Sequence, residues 1–156
     1  MMGSWNTRAV ATAYVDGRLY DARKWGGVRV MVSLPPASQL SVLLEPGPRD
    51  PWTARVLGVE EALTLAKELG ARRVVVLCDD ADAVRVINEG EGAEGDALGP
   101  YLRVRALLNQ FDHAVVAEAR ALPAPDSRRL LQGFRMARVR PLGRPRNLSL
   151  FPQLAV

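Results

Sequence analysis

The segment from Ala54 to Asp80, ARVLGVEEALTLAKELGARRVVVLCDD, leaves the chain few ways to fold. Val56, Val59, Leu63, Ala66 and Leu69 recur at helical spacing, and Gly70 supplies a residue that ends a helix in the left-handed region. Residues 72–78, RRVVVLC, follow with an unbroken apolar run, the pattern of a strand covered on both faces. Asp79 and Asp80 close that strand and precede a second amphipathic stretch, so either or both can cap a helix over 81–88. The spacing places Arg55 in the first helix and Asp79, 24 residues later, at the tip of the strand.

The flanking segments extend this into an α/β sheet protein. Residues 9–15, AVATAYV, are β-branched and apolar and break at Asp16-Gly17. Residues 27–33 alternate valines and Met31 with polar residues, and residues 39–45 form a third short strand after the Pro35-Pro36 break. Three short strands in sequence predict an antiparallel meander. Asp50-Pro51 then opens the first helix as cap and first helical residue. Beyond the second helix, 89–96 is a loop rich in glycine and acids. Residues 98–111 are an amphipathic helix with Leu102, Arg105, Leu108 and Phe111 in register, 113–119 a strand, and 126–137 a last helix capped by Asp126.

This ordered set, over about residues 8–137, resembles a ribonuclease H domain of type 1. The resemblance implies a mixed five-stranded sheet flanked by helices. It also implies hydrolysis of the RNA strand of RNA–DNA hybrids, with two magnesium ions held by four carboxylates. Two hard cations about 4 Å apart demand such oxygen ligands, with open positions for the attacking water and the leaving oxygen. Asp16 matches the family's first aspartate and Asp79 its third carboxylate. The second falls on Arg55, and counting from Phe111 places the fourth at Arg128.

Two aspartates and two arginines balance one another, so the resemblance implies a degenerate centre without metal. A guanidinium would take the cation's place through paired hydrogen bonds. The alternative is an active enzyme that uses magnesium or manganese on Asp16 and Asp79 with substitute acids. Glu60, Glu61, Asp80, Asp82 and Asp126 are the candidates, although Glu60 and Glu61 lie a turn or more along the helix from Arg55. The glycine-rich loop usual after the family's first strand is replaced by DGRLYDARKWGG. Arg18, Arg23, Lys24 and Trp25 offer contacts to a nucleic-acid backbone, sugar or base face, and Arg120 and Arg129 join that set. Trp25 has an equal alternative, closing the edge of the core. His113 opens a strand and is read as structural or exposed.

Charge supports a polyanionic partner. Residues 120–146 carry eight arginines against one acid, a net +7, while the rest of the chain has 13 basic and 16 acidic residues. Residues 138–156 are read as a basic flexible tail beyond a domain of residues 1–137. Within the tail, Asn147, Leu148, Ser149, Leu150 and Phe151 resemble the peptide by which bacterial replication and repair proteins dock on the DNA sliding clamp. Leu150 and Phe151 would fill an apolar pocket while the Asn147 amide fixes orientation. The alternative folds Leu148, Leu150 and Phe151 back onto the domain or into a dimer partner. Cys78 is the only cysteine, which excludes an internal disulfide, and it is read as a small packed thiol. With no apolar run of membrane-spanning length and no apolar signal region at its start, the chain is expected to be cytoplasmic.

Overall fold

The computed structural model of the protein describes residues 10–18, 27–34, 38–45, 51–119 and 138–141; at 38–45 and 138–141 the description is of backbone alone. Strands β1 (Val10–Asp16), β2 (Val28–Leu34) and β3 (Ser38–Glu45) form the meander. Helix α1 (Pro51–Glu68), β4 (Arg73–Cys78), α2 (Ala81–Glu89), a single 3-10 turn (Gly95–Ala97), α3 (Leu98–Leu108) and β5 (His113–Glu118) follow, and β6 (Arg138–Pro141) comes last. The sheet order is β5-β4-β1-β2-β3-β6. β1 pairs antiparallel with β2 and parallel with β4, and β5 pairs parallel with β4.

Five strands stand where the sequence places them, and β6 adds a sixth. Residues 138–141 belong to the segment expected to be a flexible tail, yet their backbone pairs parallel with β3, Val42 opposite Arg138 and Leu44 opposite Arg140. Helical periodicity was absent there, but four residues suffice for a strand when an edge is open to receive them.

The core lies between α1 and the sheet. Val15, Val28, Val30, Val74 and Val76 from the strands are fully buried, as are Val56, Val59, Leu63 and Ala66 from α1. Each such side chain removed from water contributes on the order of 1.5–3 kcal/mol. Gly58 sets how closely helix and sheet approach. A Cβ there would lie 2.7 Å from Val15 Cγ1 and 2.9 Å from Val28 Cγ1. This close seat holds the N-terminal half of α1 over the ends of β1 and β2.

Two expectations from periodicity change. β4 is sealed on the face of Val74, Val76 and Cys78, while Val75 and Leu77 on its other face are only partly buried. An unbroken valine run does not distinguish full from partial cover on its second face. In α3 the buried positions are Pro100 and Val104, whereas Leu102 is 56% exposed. α3 lies against α1, with Arg103 Nε donating to Glu60 Oε2 at 2.7 Å, so the buried stripe is rotated from the one that Leu102 and Arg105 define. Asp80, not Asp79, caps α2, its Oδ1 accepting from the backbone N–H groups of Asp82 and Ala83 at 2.8 and 3.2 Å. Among the described residues, no helix is long and apolar enough to cross a membrane.

Candidate functional site

β1 and β4 run parallel, so both chains reach the same end of the sheet with their C-termini. Val15 stands opposite Cys78, and the backbone N–H of Asp79 continues the ladder to Val15 O at 3.1 Å. Asp16 and Asp79 are therefore neighbours at one strand end, about 5 Å apart along the hydrogen-bonding direction of the backbone. The Asp79 carboxylate also accepts from the backbone N–H of Gly17 at 3.1 Å. Crevices beyond the carboxyl ends of adjacent parallel strands are where open α/β sheets bind ligands.

Each carboxylate is met by guanidinium. Arg55 projects from the second turn of α1, and its Nε and Nη2 donate to Asp79 Oδ1 and Oδ2 at 3.0 and 3.2 Å, a two-pronged contact. Nε lies 3.7 Å from Asp80 Oδ2, and Nη1 donates to the carbonyl of Pro51 at 3.4 Å. The Arg55 side chain is 7% exposed. It also covers Gly17, where a Cβ would come within 2.5 Å of its Nε. Glycine at 17 thus makes room for the guanidinium beside the strand end. This arginine joins α1, β1 and β4 at one point.

Asp16 is fully buried and has two arginines of its own. Arg29, directly opposite it on β2, donates from Nη2 to Oδ2 at 2.6 Å. Arg18, two residues on, donates from its backbone N–H to Oδ1 at 2.8 Å and from Nη2 to Oδ2 at 2.8 Å. Its Nε reaches both oxygens, at 3.0 and 3.1 Å. Burial works to raise the Asp16 pKa, but the Arg18 hydrogen bonds and the charges of Arg29 and Arg18 outweigh it, so the carboxyl titrates below its ordinary value. Tyr14 lies beneath with its phenol pKa raised by burial and by Asp16, and its hydroxyl accepts a long contact of 3.5 Å from Arg18 Nη2.

The structure brings Asp16, Arg18, Arg55 and Asp79 together and adds Arg29, which no motif in the sequence marks. Its signal was present: Arg29 is the polar residue between Val28 and Val30, on the strand that turns back beside Asp16. The length of the intervening loop hid the register. Glu60 and Glu61 are not at this end; Glu60 pairs with Arg103 and Glu61 is buried within α1. Asp82 pairs with Arg85 on the surface. Cys78 is buried beneath the site, and burial pushes its thiol pKa up to about 12, which leaves it protonated and unreactive at neutral pH. His113 is exposed at the start of β5. Among the described residues, no group of three or more His, Cys, Asp or Glu is placed to hold a metal ion. Arg23, Lys24, Trp25, Arg120, Asp126, Arg128, Arg129, Asn147, Leu148, Leu150 and Phe151 lie outside the described residues.

No protein-family model matches the chain, and no curated protein matches it either. Solved structures do. The N-terminal RNase H domain of a Mycobacterium tuberculosis protein, solved as a fusion with maltose-binding protein, is 18% identical with a TM-score of 0.58, over 76% of this chain and 91% of that one. RNase H1 from the halophilic archaeon Halobacterium salinarum is 17% identical with a TM-score of 0.57, over 77% and 90%. LC11-RNase H1, solved in complex with an RNA/DNA hybrid, is 16% identical with a TM-score of 0.58, over 81% and 95%. At such identities the likeness is one of architecture: the chain has the ribonuclease H-like fold.

Proposed function

We propose that this protein binds nucleic acid, an RNA–DNA hybrid or a duplex, and has little or no nuclease activity. The observation that carries the proposal is the two-pronged contact of Arg55 with Asp79. In the ribonuclease H reaction two divalent cations neutralise the carboxylates and polarise the phosphate. Among the described residues, Asp16 is paired with Arg18 and Arg29, and Asp79 and Asp80 face Arg55. Both oxygens of Asp16 and both of Asp79 accept from N–H donors. A divalent ion would have to evict a buried guanidinium, and that guanidinium would then stand uncompensated beside the ion. Magnesium or manganese does not fit this donor set.

The fold and the charge support nucleic acid as the partner. One structure of similar fold was solved with an RNA/DNA hybrid, and residues 120–146 of this chain carry a net +7. The competing reading is a metal-dependent ribonuclease H hydrolase that draws on Asp16 and Asp79 with other acids. A protein-binding module or dimer without nucleic acid is the third. Titration of hybrid across a range of salt separates them. Binding that weakens steeply as salt rises, without cleavage, supports the proposal; rapid magnesium-dependent cleavage supports the enzyme; no binding at any salt leaves the protein-binding module.

Association with replication or repair rests on the 147–151 peptide. If it docks on a bacterial sliding clamp, Leu150→Ala with Phe151→Ala abolishes clamp binding and leaves the melting temperature unchanged. A lowered melting temperature or a broken dimer would instead mark the segment as structural.

A further inference from the structure

We infer that Arg18 is a pre-set phosphodiester-binding group and that Asp16 is its positioning residue, so that this end of the sheet grips a nucleic-acid backbone without a metal ion. The inference rests on the proposal above that nucleic acid is the ligand, and it names the atoms that receive it.

Arg18 is held at both ends by one carboxylate. Its backbone N–H and its Nε share Asp16 Oδ1, and Nε and Nη2 reach Oδ2. The remaining Nη2 contact is the long one to Tyr14. The two hydrogens of Nη1 have no partner among the described residues, and the side chain is 61% exposed while Asp16 is wholly buried. The guanidinium therefore presents a fixed donor edge outward, in the planar geometry that matches phosphate oxygens.

Simple neutralisation of Asp16 does not explain this arrangement. Arg29 already meets its charge at 2.6 Å. An arginine as exposed as Arg18 adds little stability through an ion pair. Of the two guanidinium groups on Asp16, Arg18 is the one open to solvent, with side-chain exposure of 61% against 23% for Arg29. It offers there the charge and the geometry that a phosphodiester requires. Rigid placement by Asp16 lowers the ordering cost when the phosphate arrives. A carboxylate that resembles a metal ligand thus acts here by aiming a cation.

The test is fluorescence anisotropy with a short fluorescent RNA–DNA hybrid, in EDTA and in magnesium, across a range of salt. The wild-type protein is expected to bind as tightly in EDTA as in magnesium. Arg18→Ala should weaken binding roughly tenfold and lower the slope of log affinity against log salt by about one, as the loss of one phosphate contact does. Arg18→Lys should keep the slope and recover only part of the affinity, because an ammonium lacks the paired donors. Asp16→Asn should weaken binding although it makes the protein more positive, the reverse of what net charge alone dictates. Should the buried Asp16→Asn change unfold the protein, the exposed Arg18 pair still decides the question. Hybrid binding unchanged by Arg18→Ala, or binding that requires magnesium, overturns the inference and leaves nucleic-acid binding standing. No hybrid binding by the wild type overturns both.

Discussion

Two carboxylates of one type stand side by side at the end of adjacent strands, and their surroundings differ. Asp79 is paired with Arg55, whose side chain is 7% exposed, bridges three elements and lies over Gly17. Asp16 is wholly buried, yet one of its two partners, Arg18, is mostly in solvent. The sealed pair is built like a structural cross-link, and the open one like a binding group. The same chemistry of guanidinium on carboxylate does different work according to which partner water can reach.

The largest effect expected from this contrast is on the sealed side. Arg55→Ala leaves Asp79, only 11% exposed, lacking its main partner, and removal of one member of a largely buried pair costs up to about 3–5 kcal/mol. Urea denaturation should show this as a large fall in midpoint. Arg18→Ala, on the open side, should shift stability by about 0–1 kcal/mol. Comparable losses from the two would erase the distinction.

Gly17→Ala sharpens the same comparison. Its Cβ would meet Arg55 Nε at 2.5 Å, so the guanidinium must move off Asp79 or the strand end must shift, at a cost of about 1–3 kcal/mol. In the Arg55→Ala background the added methyl meets no guanidinium, and the two changes should be far from additive. Additive losses would show that Gly17 matters for some other reason.

Acid should act through Asp16. Its folded pKa lies below the unfolded value, so the pair contributes stability that is complete above the ordinary carboxylate pKa of about 4 and is lost as pH falls through the folded value. Stability should thus be flat in this contribution from neutral pH to about 5 and decline below about 4. Asp16→Asn should remove part of that acid-dependent slope. A slope unchanged by the substitution would assign acid sensitivity to other groups.

Much of this arrangement was legible in residue order. The helical spacing from Val56 to Leu69, the apolar run into Asp79 and the short meander together placed Asp16 beside Asp79 and Arg55 within reach of Asp79. That inference worked because strand termini and helix caps carry strong local signals. The partners of Asp16 were harder to find. Arg29 faces Asp16 only because of the β1–β2 register, which depends on an intervening loop whose length does not dictate the pairing. Arg18 stood in the sequence as a candidate nucleic-acid contact with no sign of its tie to Asp16, since nothing in sequence shows a side chain folding back onto the residue two before it. Leu102 looked like core by spacing, yet the way α3 lies against α1 leaves it in water. The β6 strand had no periodicity to reveal it, only an open edge to join.

Whether guanidinium groups hold the places of the metal ions is decided by titrating manganese into the wild-type protein, with hybrid cleavage assayed in the same samples. No saturable manganese binding and no cleavage above background are expected. Arg55→Glu together with Arg128→Asp should create metal binding. Saturable binding of two manganese ions by the unmodified protein, with robust cleavage of the hybrid and loss of both in Asp79→Asn, would contradict a centre without metal.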